Sequence, residues 1–152
     1  MKIRKATLKD AKAIRAMMKE LYMKWHRMDE MDKIDRVWFS SPASLRLVKK
    51  RIKEGAYFIA EDKEIIGFIY GFIDIRPACR DKKLGLIDEL YVTPERRGSG
   101  IGTRLTERML AWFRLKGARW SILMTHAKDN EANMYWKNVG FKLYNMKYRM
   151  RL

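Results

Sequence analysis

The sequence of 152 residues predicts an α/β fold (α+β by some schemes), and three observations carry the prediction. Leu86–Gly117 reads as a strand, a glycine-rich turn and an amphipathic helix. Tyr57–Ala60 and Ile65–Ile75 read as two strands joined by a charged turn, a hairpin. Ala13, Ile14, Met17, Met18, Leu21, Tyr22 and Trp25 recur at helical spacing. No low-complexity linker divides the chain, and its length suits one domain better than two, so a single domain over 1–152 is expected.

The elements follow in order. Residues 2–6 read as a first strand. Thr7 and Asp10 have the spacing of a capping box, before the helix that carries the methionine stripe. That stripe reads as core rather than as a cofactor site. Residues 26–40 are less regular, with Asp29, Glu30, Asp32 and Asp35 clustered in a basic protein and Trp38 and Phe39 packing the segment down. Ser41-Pro42 starts a helix, because a proline fits its first turn. Leu45, Val48 and Ile52 form its apolar face, and Gly55 ends it. After the hairpin, 76–83 is a polar loop. Ile87, Leu90, Tyr91 and Val92 then form a strand that Pro94 stops, since proline cannot donate to a ladder. Ile101, Leu105, Met109, Trp112 and Phe113 mark one face of the following helix, which Gly117 ends. Ala118–His126 is another strand, and Asp129–Gly140 a capped short helix before a closing strand pair.

The glycine-rich turn carries the chemistry. A helix N-terminus offers unpaired N–H groups and the positive end of the macrodipole. Glycines let a phosphate reach that backbone. Arg96 and Arg97 add charge beside it, so the turn suits a phosphate or pyrophosphate. It lacks the Gly-Lys-Ser/Thr ending of a nucleoside triphosphate loop. Gly98, Gly100 and Gly102 also fail the G-x-G-x-x-G dinucleotide frame. What fits is Arg97-Gly98-Ser99-Gly100-Ile101-Gly102, an R-x-x-G-x-G.

In that frame the chain resembles the GNAT-type N-acetyltransferase superfamily, whose coenzyme A pyrophosphate loop follows a strand in this way. Ile3, Arg4, Ala6, Asp10 and Ile14 are similar to the usual GNAT beginning. Asn130, Ala132, Asn133, Tyr135, Trp136, Gly140 and Phe141 resemble the family's second hallmark, with Trp136 where a tyrosine is usual and Asp129 where an asparagine is usual. The resemblance implies a mixed, mostly antiparallel sheet of six to seven strands flanked by about four helices. It implies acetyl-CoA as cosubstrate, with no metal. The cofactor contacts would come from Leu90, Tyr91 and Val92, then Arg96, Arg97, Gly98, Ser99, Gly100, Ile101, Gly102 and Thr103, and from Asn130, Asn133 and Trp136. The fourth strand would pair with the pantetheine arm, splaying from its neighbour to admit it.

The implied reaction is direct acetyl transfer to a primary amine. An amine with a pKa near 10 must lose a proton before it attacks, which requires a base. Asp88 shares a face with Leu86, Leu90 and Val92, the phase that acceptor-side bases occupy in several enzymes of the family it resembles, so the resemblance makes it the first candidate; Glu89, on the opposite face, is second. Each has an alternative as a structural acid paired with a cation, and His126 is a further base candidate. Trp136 can donate a hydrogen bond but no proton, so Tyr135 is the candidate acid. Its alternative is packing within the short helix. The resemblance makes the segment between the first two helices a wall of the acceptor pocket, where the acids at 29–35 would suit a small cationic amine; their alternative is a solvated, charged helix end. A protein N-terminus, as in enzymes that acetylate ribosomal proteins, is the second choice. Two rivals stay open, a non-catalytic acyl-CoA-binding regulator and an RNA-binding protein on the same scaffold.

Composition sets the outer bounds. No apolar run approaches the ~20 residues of a membrane span, so no membrane partner is expected. The first ten residues carry no apolar signal segment, which predicts a cytoplasmic protein. Cys79, the single cysteine, excludes an internal disulfide and a thiolate metal cluster. The net charge of +16 is spread along the chain. It reads as a basic solvated surface, with weak non-specific polyanion or ribosome association as a consequence. Homodimerisation is left open.

Overall fold

The computed structural model describes all residues, Met1–Leu152. Five strands form one sheet in sequence order: β1 (Lys2–Lys5), β2 (Ala56–Asp62), β3 (Glu64–Ile75), β4 (Lys83–Val92) and β5 (Trp120–Leu123). The first four are antiparallel, while β5 runs parallel to β4. The parallel step follows from the connection: α4 (Ile101–Leu115) crosses over between the two strands, as parallel neighbours require. The other helices are α1 (Ala11–Met28), α2 (Arg36–Ser40), α3 (Pro42–Glu54) and α5 (Asn130–Val139).

The sheet separates two cores. On one face α1 and α3 bury Ile14, Met18 and Val48 against Tyr57, Ile59 and Phe68. On the other, α4 buries Leu105, Met109 and Phe113 against Phe58, Ile69 and Ile87. Period-two alternation in β2 and β3 explains how one strand feeds both cores. The methionine stripe of α1 is core, as its spacing predicts: Met17 and Met18 are buried. Close approach on the α4 side is set by Gly85, where an added Cβ would lie 2.4 Å from the Phe113 ring.

Helix signals place several boundaries where the sequence puts them. The Ser41 hydroxyl accepts from Ser44 N, Pro42 occupies the first turn and Gly55 follows the last residue of α3. The Asp129 carboxylate caps α5, accepting from Ala132 N at 3.0 Å. Asp10 accepts from the Thr7 backbone N–H at 2.7 Å. It also receives both ends of the Arg4 guanidinium, at 2.8 and 2.9 Å. The acid cluster at 29–35 yields an unpredicted fifth helix, α2, because Asp35 caps it through Val37 N and Trp38 N.

Four expectations need correction. The sheet has five strands, not six to seven. Residues 141–152 form no strand: Leu143, Tyr144, Met146, Tyr148 and Met150 are exposed. Arg149 and Arg151 pair with Asp29 and Glu30, which holds the tail beside the end of α1. β5 ends at Leu123 rather than His126. In β4 the alternation is broken. Gly71 pairs with Ile87 and Tyr70 with Glu89, leaving Asp88 as the extra residue of a bulge. Ile87 and Leu90 therefore pack on the α4 side together, while Tyr91 packs on the α1 side. The shared face inferred for Leu86, Asp88, Leu90 and Val92 does not survive that shift.

Candidate active site: a cleft where two strands part

The β4–β5 ladder stops at the Ile87–Leu123 pair, while β4 continues to Val92. The two strands part beyond that point. The edge of β4 from Asp88 to Val92 then faces a cleft of about 450 Å³ instead of a neighbouring strand. α1 closes one side with Glu20, Leu21, Lys24 and Trp25. The turn before α4 forms the floor, and the end of β5 with α5 forms the far wall.

The turn before α4 leaves a row of backbone donors free. The backbone N–H groups of residues 98–103 have no acceptor within the chain, and the first helical bond is Arg104 N to Gly100 O. Gly98 and Gly100 have φ of +75° and +80°, and a Cβ at either would meet nothing within 4 Å. Their need for glycine is conformational, not spatial. With the positive end of α4 behind them, these N–H groups fit a pyrophosphate. Arg96 pairs with Asp62 at 3.3 Å, Arg97 donates from Nε to Val92 O at 3.1 Å, and both line the cleft.

The predicted contacts divide into two groups. Leu90, Tyr91, Val92, Arg96, Arg97, Gly98, Gly100, Ile101, Gly102, Thr103 and Trp136 all line the cleft. Ser99 turns its hydroxyl back to Arg96 O at 2.6 Å. Asn133 is consumed in joining β5 to α5. It accepts from the Thr125 hydroxyl and donates to His126 O at 3.0 Å. Asn130 is exposed at the start of α5, outside the cleft.

The two candidate bases take different places. The Asp88 side chain is 31% exposed and lines the cleft; Arg51 Nη2 lies 3.4 Å from its carboxylate. Glu89 is buried behind it at 2%. It accepts from Arg51 Nη1 at 2.7 Å, the Tyr22 hydroxyl at 2.9 Å and the Tyr57 hydroxyl at 3.2 Å. Burial pushes the Glu89 carboxyl above its ordinary range, against the pull of Arg51. Burial and the neighbouring Glu89 likewise push both tyrosine hydroxyls up, so they remain donors. The two carboxylates were expected to diverge; the bulge lets both reach one guanidinium.

Tyr135 and Trp136 both reach the cleft. The Tyr135 hydroxyl bonds Thr106 Oγ1 at 2.8 Å, and burial pushes its pKa up. Trp136 is 8% exposed and stacks edge-on against Phe141 in the α4 core. His126 lies at the rim, its Nε2 3.7 Å from both Asp29 and Asp32.

Residues the sequence did not single out complete the site. Lys24 bridges α1 to α5 through Asp129 and Glu131, both at 2.9 Å. Arg51, Tyr22 and Tyr57 hold Glu89, and Thr106 holds Tyr135. Arg51 left one trace: it follows Val48 by three and precedes Ile52 by one, beside the apolar stripe of α3.

The acetyltransferase (GNAT) family model matches residues 15–141, and the chain belongs to that family. It is 39% identical over 69 residues to N-alpha-acetyltransferase 30 of Schizosaccharomyces pombe, covering 45% of each chain. It is 30% identical over 93 residues to aminoglycoside N(6')-acetyltransferase type 1 of Stenotrophomonas maltophilia, covering 59% of this chain and 61% of that one. The chain spans 28% to 61% of the length of the curated relatives it matches. Among solved structures, AAC(6')-Iy bound to the bisubstrate analogue CoA-S-monomethyl-acetylneamine superposes with a TM-score of 0.74 at 20% identity, covering 99% of this chain and 98% of that one. That likeness is one of fold.

Proposed function

We propose that this chain transfers an acetyl group from acetyl-CoA to a primary amine by direct attack with both substrates bound. The observation that carries the reading is a coincidence of place. The unpaired N–H groups of residues 98–103 and the unpaired edge of β4 open into one cleft. The first suits a pyrophosphate and the second an extended amide-bearing arm, which would add to β4 as a strand does.

Acetyl-CoA supplies the activated thioester; the amine nitrogen bonds its carbonyl carbon as the carbon–sulfur bond breaks and the thiolate leaves. Backbone N–H groups in the Leu90–Val92 stretch stabilise the oxygen that gains charge. Asp88, the carboxylate that lines the cleft, takes the ammonium proton, directly or through water. Glu89 is reserved for its three donors and does not reach substrate. Tyr135 donates a hydrogen bond toward the departing sulfur; with its pKa raised it gives up no proton readily.

A small cationic amine is the preferred acceptor. Two carboxylates that line the cleft are lightly held: Glu20, and Asp88, which pairs only with Arg51. The segment 29–35 contributes less than its composition promises. Asp29 and Glu30 are bound by Arg149 and Arg151, and Asp35 caps α2. The relation to an aminoglycoside acetyltransferase supports this choice, and that to an N-alpha-acetyltransferase supports a protein N-terminus as the second.

The test is calorimetric titration with acetyl-CoA beside a Gly100→Glu/Gly102→Glu variant, followed by thiol-release assays. The amine panel includes polyamines, aminoglycosides and short peptides. Micromolar binding abolished in the folded variant, with turnover of one amine class that falls at least tenfold in Asp88→Asn, is expected. Absence of binding by the wild type overturns the reading. Binding without turnover of any amine leaves an acyl-CoA-binding regulator instead.

A further inference from the structure

We propose that Arg51 is a positioning residue that aims the Asp88 carboxylate at the cleft, and that buried Glu89 is the anchor that fixes Arg51. The inference rests on the acetyltransfer reading for its catalytic consequence and on geometry alone for its structural one.

Arg51 projects from the last turn of α3 toward β4, with its side chain 20% exposed. One guanidinium nitrogen meets Glu89 at 2.7 Å and the other meets Asp88 at 3.4 Å. Its plane lies over the Tyr70 ring, 4.8 Å from the centroid, which restricts its swing. A guanidinium is a rigid fork, so fixing one arm fixes the other. Glu89 is held in turn by the Tyr22 hydroxyl from α1 and the Tyr57 hydroxyl from β2. The chain of contacts therefore runs from two helices and two neighbouring strands into a single carboxylate at the cleft.

The bulge makes this possible. In a regular strand Asp88 and Glu89 would face opposite sides of the sheet. With Asp88 inserted between the Ile87 and Glu89 pairings, both acids approach the same cation. The arrangement has unequal members. Glu89 accepts three hydrogen bonds and is buried at 2%, so it is not placed to take a proton from substrate. Asp88 has one partner and is partly open to the cleft, the condition of a group that must exchange a proton. A cation shared between them keeps the bulge residue from turning out into solvent.

The experiment compares Arg51→Lys with the double variant Arg51→Gln/Glu89→Gln. The double change removes both charges together, so no buried charge is left unpaired and folding is retained. Acetyl-CoA affinity should stay within about twofold in both. In the double variant kcat should fall about 10- to 100-fold with the KM for acetyl-CoA unchanged, as for a group displaced by ~1 Å. Arg51→Lys should recover part of that loss, since an ammonium with three donors can lie between the two carboxylates but lacks the rigid fork. Crystal structures should show the Asp88 carboxylate rotated out of the cleft in the double variant and kept in place by lysine. An unchanged Asp88 rotamer in the double variant overturns the positioning role, whether or not any amine is turned over. A rotated Asp88 with wild-type kcat overturns its catalytic consequence. A wild type that binds acetyl-CoA but acetylates nothing sinks the functional reading instead.

Discussion

Gly100 shows what one residue contributes to this site. Its φ of +80° is the left-handed region, and its Cβ position is empty space. Alanine there would be penalised by backbone strain alone, about 1 kcal/mol or more. Gly100→Ala should therefore lower acetyl-CoA affinity roughly five- to tenfold, with a fall in melting temperature. Gly100→Asn should do less harm, because asparagine visits that conformation more readily. Calorimetry and thermal melts on both variants check this, and equal damage from the two would point to a steric cause. This role was legible in the sequence, since R-x-x-G-x-G after a strand marks a turn of this kind. Arg51 was not. It sits among Arg46, Lys49, Lys50 and Lys53, and nothing in a run of cations tells which one turns inward.

At the level of elements, the join of β1, β2 and the start of α1 is an ion cluster. Arg4 reaches Asp10 at 2.8 Å and Glu61 at 2.8 Å. Its hydrogen bonds hold the Asp10 carboxyl at about 2, below the ordinary carboxylate value. Because the folded-state pKa is depressed, the stabilisation is present above the unfolded value of ~3.9 and is lost as pH falls through about 2. Asp10→Asn should cost on the order of 1–2 kcal/mol at pH 7. Its melting temperature should converge on that of the wild type as pH drops toward 2, which a pH series of thermal melts will read. A difference that persists at that pH would assign the loss to packing. The element boundaries themselves were largely readable. Ser41, Pro42 and Gly55 bracket α3, and Asp129 and Gly140 bracket α5, because caps are local chemistry. The β4 bulge was not readable, because alternation assumes a regular ladder and one inserted residue inverts every face beyond it. The tail 141–152 has strand-like composition, but its two arginines engage the acids at the end of α1, a choice that only tertiary structure reveals.

At the scale of the molecule, the fold class and the cleft followed from pattern, because a strand–turn–helix crossover both sets the sheet order and leaves a turn with unpaired N–H groups at its top. The excess charge is a separate property. A net charge of +16 should retain the protein on immobilised heparin at low salt. With about six phosphate-like contacts, the affinity should fall roughly a thousandfold between 50 and 200 mM salt. Retention that ignores salt would contradict a surface that binds by charge alone. No helix is long and apolar enough to cross a membrane.

The walls of the cleft have a spectroscopic consequence. Of the five tryptophans, Trp25 and Trp136 border it from opposite sides, while Trp38, Trp112 and Trp120 lie elsewhere. A ligand that fills the space displaces water from two indoles and leaves the emission of the other three unaltered. The protein thus carries its own occupancy gauge. Unlabelled enzyme in a fluorimeter reports filling of the cleft, with highly exposed Trp120 as the steady background against which the change is read.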